Sequence, residues 1–172
     1  MKGAGVFLAL ALALTLQTTL AGVSVAGGAA VNLVLVAVVY VALAFGAVTG
    51  LLAGTVGGLV QDALAGGIVG IGGLSKTLVG FIVGVLGAHF IVSQPLPRFV
   101  MFVGATVVHE LCFQSLYALA EARSLQMAFT EVLTQAAING VIGIIAFQIV
   151  ELGPGLLQRR RTSGATIGRR HY

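Results

Sequence analysis

His109-Glu110 opens as a zinc-protease helix does, with a metal ligand beside a general base. GIVGIGGLSKT (67–77) sets glycines ahead of a lysine and a hydroxyl, as a phosphate-binding loop does. Neither pattern is completed. The second zinc-binding histidine belongs four positions after the first, where Phe113 stands, and Ser75 replaces the glycine expected before Lys76. No strand leads into the glycine-rich stretch. Cys112 is the single cysteine, set in an apolar run, so it offers neither a disulfide framework nor metal-ligand spacing. No set of nucleophile, base and orienting group is visible, and the residues predict no enzyme, no metal and no cofactor.

Asp62 is harder to dismiss. It follows Gly46, Gly50, Gly54 and Gly58, each four residues after the last. On a helix such a series winds slowly along one face, because each step of four advances about 40°. Small residues let helix backbones approach closely where lipid gives them little other reason to associate. Gly80, Gly84 and Gly87 give a second segment a similar smooth face. The ladder therefore reads first as packing. Three roles are open to the acid at its end: accepting backbone N–H groups from the glycine-rich turn that follows, pairing with Lys76 across that turn, or taking part in transport or proton transfer. His109, Glu110, Gln114 and Asn139 make either an interior polar cluster that holds helices together or the lining of a small-molecule cavity. His89 and Glu151 read as interfacial side chains reaching for head groups, and Glu131 is the remaining acid near a span.

Composition decides what must position these groups. Of 172 residues, 58% are hydrophobic and 8% are charged, against about 25% charged in a soluble domain. No water-facing shell can be made from this chain, and the bilayer is the solvent that suits it. The expected architecture is an all-α integral membrane protein, a compact bundle of about six transmembrane helices within residues 1–155. The spans run from about 5 to 25, 32 to 45, 46 to 64, 72 to 92, 99 to 119 and 129 to 152. Gly27-Gly28, GGIVGIGG (66–73), SQPLPR (93–98) and EARSLQ (121–126) punctuate them, and Gly153-Pro154-Gly155 ends the last.

Residues 156–172 form a basic tail. The net charge is +4, yet five of the nine basic residues lie in the last fourteen positions, which marks a cytoplasmic topology signal beside anionic lipid rather than a nucleic-acid surface. Six spans put both termini on one side. Lys2, Arg98 and the tail arginines then fall inside, with Lys76 and Arg123 on or near the outside. A cleaved signal peptide is the competing reading of the first span, which has Lys2, an apolar core and small residues near GVSVAG.

Residues 31–87 carry a family resemblance. A short span is followed by a glycine-spaced span ending in Gly58-Leu59-Val60-Gln61-Asp62, then a glycine-rich turn, then Lys76-Thr77-Leu78-Val79-Gly80-Phe81. This order resembles the central segment of MreD, the rod shape-determining membrane protein. Val31-Asn32 stands where that family often has Pro-Asp, and Gly46-Ala47-Val48 lacks its usual basic residue. The resemblance implies a non-enzymatic member of the rod complex (elongasome) in the bacterial cytoplasmic membrane. Its implied partners are MreC and, alongside it, RodA, the penicillin-binding transpeptidase and MreB, in lateral peptidoglycan synthesis. It also implies a fold similar to the substrate-binding subunits of energy-coupling-factor vitamin transporters. Such a transporter subunit is the rival function, with Ala9 and Ala13 as small residues for docking a coupling protein.

Overall fold

The computed structural model describes residues 2–19, 31–90, 94–122 and 129–166, with side chains of the last helix as far as Glu151. Among these residues the order is α1 (Lys2–Thr19), α2 (Leu33–Phe45), α3 (Ala47–Ala65), α4 (Ile71–His89), α5 (Pro95–Glu121) and α6 (Phe129–Thr166). Four helices, α3, α4, α5 and α6 over Phe129–Glu151, are long and apolar enough to cross a membrane. The other two are shorter. The linkers at 20–30 and 123–128, the end of the fourth expected span and the last six residues of the tail lie outside the described residues.

Helix α2 explains its own length. Thirteen residues rise only about 20 Å, short of a hydrocarbon core of about 30 Å, but α2 packs against all five other helices. Val34, Leu35, Val38, Val39 and Val41 are almost wholly buried. A helix that is apolar on every side belongs in a core. Asn32 starts it by accepting the Leu35 N–H at 3.1 Å. Leu35, Val39, Val79, Val83 and Phe102 form one apolar cluster on one side of α2, and Leu10 of α1 packs with Val38, Val41 and Ala53 on the other.

Gly46 alone joins α2 to α3. Its φ of 90° with ψ of 178° is a backbone state reserved for glycine, and it folds α3 back along α2, so that Gly50 lies on Ala42 and Gly57 on Val34. A methyl at position 46 would meet nothing within 4 Å, so the cost of Gly46→Ala is conformational. A loss of about 2 kcal/mol is expected, read as a lowered unfolding midpoint in detergent. An unchanged midpoint would mean that the joint has a different backbone geometry.

Two elements depart from the sequence reading. SQPLPR was expected to be a linker, but α5 begins at Pro95. Pro95 and Pro97 fall in the first turn, where the missing N–H groups have no helical acceptor to lose. The last helix does not end at Gly153-Pro154-Gly155. It continues to Thr166, since a proline inside a helix removes one hydrogen bond and can bend the helix without ending it.

Candidate functional site

The most extensive pairing in the bundle is α3 with α4, and the glycine ladder is its seam. A Cβ on Gly50 would lie 2.5 Å from the Gly80 carbonyl oxygen, and one on Gly80 would collide with the Gly50 carbonyl. Gly84 faces the backbone of Gly46 and Ala47 in the same way, and Gly58 faces Gly72 and Gly73. Reciprocal approach of this kind brings each Cα–H against the opposite carbonyl oxygen. Thr55 and Thr77 add a hydroxyl hydrogen bond of 2.8 Å across the seam. The remaining rung is Gly54, which faces the carbonyl of Lys76. The α4 face thus reads Gly72, Lys76, Gly80, Gly84, with a lysine set into a row of glycines.

At the end of this seam Asp62 Oδ2 accepts the Gly70 N–H at 2.9 Å and the Gly73 N–H at 3.1 Å. Gly66 and Gly70, both at positive φ, shape the turn that brings these donors round. The carboxylate therefore sits on the N-terminus of α4, where two free N–H groups and the positive end of the helix dipole converge. Asp62→Ala strips the partner from both donors and is expected to cost about 1–3 kcal/mol. The measurement is the unfolding midpoint in mild detergent, with Asp62→Asn intermediate because its amide oxygen still accepts. Equal midpoints for Ala and wild type would remove capping as a source of stability.

Lys76 is 2% exposed. The sequence set it on or near the outer side of the membrane, and its side chain is buried inside the bundle. No ion pair joins it to Asp62 among the described residues; its Nζ lies 3.2 Å from His109 Nε2 on α5. His109 Nδ1 lies 3.3 Å from Glu110 Oε1. A lysine ammonium can only donate, so Nε2 accepts and Nδ1–H donates to the carboxylate, which fixes the tautomer. Gln135 of α6 donates its Nε2–H to the same Glu110 oxygen at 3.1 Å, and Gln114 hydrogen-bonds Glu110 as well. Phe113 stacks on the His109 ring with centroids 5.8 Å apart. The three spans α4, α5 and α6 are thus tied by a line of Lys76, His109, Glu110 and Gln135.

Asn139 is wholly buried but stands apart from that line. It accepts the Asn32 N–H at 3.2 Å and donates to Thr106 Oγ1 at 3.3 Å. It therefore links α6 to the start of α2 and to α5. The sequence reading missed Gln135, Thr106, Asn32 and Gln17, the last of which grips the entry to α2 through Val31 and Leu33. An Asn directly before an apolar run is an N-cap signal and was available for Asn32. Nothing in the spacing marked the glutamines.

Arg98 and Glu151 form a second polar contact. The guanidinium grips both carboxylate oxygens, one at 3.0 Å, and lies 4.3 Å from the centre of the Phe147 ring. Arg98 was expected in a loop and Glu151 at head groups. The early start of α5 instead lays Arg98 along α6, where it is buried, while the Glu151 side chain remains 53% exposed. His89 is exposed and bonded to the Val85 carbonyl at 2.8 Å.

These features define a class: an α-helical membrane protein whose interior polar groups are bound largely to one another. A family model described as rod shape-determining protein MreD matches residues 2–152. The chain belongs to the MreD family, and with it to the proteins of rod shape determination, which are not a known enzyme family. No curated relative and no solved structure matches the chain.

Proposed function

We propose that this protein is a non-enzymatic membrane scaffold of the cell-elongation complex, binding MreC and supporting lateral peptidoglycan synthesis. The family match over residues 2–152 carries the reading. The disposition of side chains is consistent with it. Val48, Leu52 and Val56 on α3, Leu74, Leu78 and Phe81 on α4, and Val141, Ile145 and Ile149 on α6 form exposed apolar stripes. Those on α3 and α4 face away from the glycine seam, and they offer surface to lipid or to a partner's transmembrane segment. In this proposal the protein lies in the cytoplasmic membrane with six spans and both termini inside. It biases MreC between arrangements that do or do not activate the synthase, with RodA, the transpeptidase and MreB as further members of the assembly.

The test is to purify the tagged protein from its own host in mild detergent and identify what accompanies it by mass spectrometry. MreC together with RodA or the transpeptidase is the expected result. Recovery with an ATPase pair and a coupling subunit, and without MreC, would overturn the scaffold.

A further inference from the structure

The line from Lys76 to Gln135 forms one wall of a cavity of about 300 Å³. Gln17, Asn32, Gln61, Asp62, Gln114 and Glu131 complete its polar lining. The cavity lies where α1 and α3 end and α2, α4 and α6 begin. Ala65 and Glu131, both exposed, stand at its rim. Its position is therefore one end of the bundle, at the depth where a membrane presents head groups. Its volume is about that of ten liquid waters, too large for one ion and suited to a small organic group.

Among the described residues the lining is short of positive charge and of donors. Three carboxylates, Asp62, Glu110 and Glu131, face one ammonium among the described residues, that of Lys76. Asp62 is taken up by the N-terminus of α4. Two carboxylates then remain against one ammonium that already donates to His109. Gln61 Oε1 and Gln114 Oε1, on the same lining residues, are buried with no donor among the described residues. Uncompensated negative charge and unmet acceptors are both costly when buried. A group that brings positive charge together with N–H donors answers both deficits.

We propose that this cavity binds a primary ammonium group on a small organic carrier, with Glu110 as its principal anchor and Glu131 at the entrance. A phosphatidylethanolamine head group and a free soluble amine carry the same chemistry. The purified full-length chain separates these sources. By native mass spectrometry, phosphatidylethanolamine should be retained about tenfold better than phosphatidylcholine, whose quaternary nitrogen has no N–H to donate. Glu110→Gln should abolish that preference. Stabilisation by free ethanolamine without retention of the lipid would assign the site to a soluble amine. Equal retention of the two lipids, with no stabilisation by ethanolamine, would overturn the proposal. That comparison uses the wild-type protein alone, so it stands even if the variant does not fold. It is also independent of whether MreC binds.

Discussion

Gly54→Val should leave little folded protein, whereas Gly104→Ala should be tolerated. Both positions are helical glycines in apolar surroundings, and only the space around them differs. A Cβ at position 54 would collide with the carbonyl of Lys76, with the next backbone nitrogen 2.8 Å away. Backbone cannot swing aside as a side-chain tip can, so α3 and α4 must separate along the whole seam. That separation weakens the Gly50–Gly80 and Gly58–Gly73 contacts as well as the Thr55–Thr77 hydrogen bond. Overpacking commonly costs 1–3 kcal/mol, and with the neighbouring rungs lost a total of about 3 kcal/mol or more is expected. At Gly104 a Cβ meets nothing within 4 Å, and alanine favours the helix by about 0.5–1 kcal/mol. The comparison is read as the monodisperse fraction and the unfolding midpoint in one detergent. A Gly54→Val midpoint equal to that of wild type would show that the two backbones are not in contact.

The seam was legible in the sequence because spacing alone encodes it: glycines four apart on two successive segments must make two smooth faces. The partner of the ladder was left between the second glycine face and a neighbouring span, and the structure pairs the two faces as α3 and α4. The polar interior was legible as a set of residue types and not as a set of pairs. His109 and Glu110 are adjacent, so their side chains start about 100° apart on the helix, and local geometry gave no reason for them to meet. They meet because Lys76 and Gln135 approach from α4 and α6, and cross-helix proximity is a tertiary fact. A pair of Lys76 with Asp62 was one of the three roles open to the acid, because the two are close in sequence. Asp62 instead accepts backbone N–H groups of the turn, and Lys76 reaches His109 on α5. Arg98 was misplaced through its neighbours, since two prolines suggest a loop as readily as a first helical turn.

Lys76→Met should be the most damaging change within the polar interior. Methionine keeps much of the length and apolar bulk of the lysine stem, so the loss is chiefly the charge. Among the described residues its removal leaves His109 Nε2 without a donor and leaves the cavity holding Glu110 and Asp62 without a buried cation. Deleting one partner of a buried charge set costs about 3–5 kcal/mol, because the remaining charge stays buried and uncompensated. The same reasoning predicts a partial rescue. In Lys76→Met/Glu110→Gln one of the stranded negative charges is gone, while the new amide can still accept from His109 Nδ1–H. The double variant should therefore unfold at a higher temperature than Lys76→Met, although it carries one more substitution. A double variant less stable than either single change would mean that Lys76 and Glu110 act independently, and the line through His109 would then couple no charges. If the rescue is seen, charge balance, rather than any one hydrogen bond, is what this interior maintains, and the surplus carboxylate at Glu131 becomes the natural entrance for a positively charged ligand.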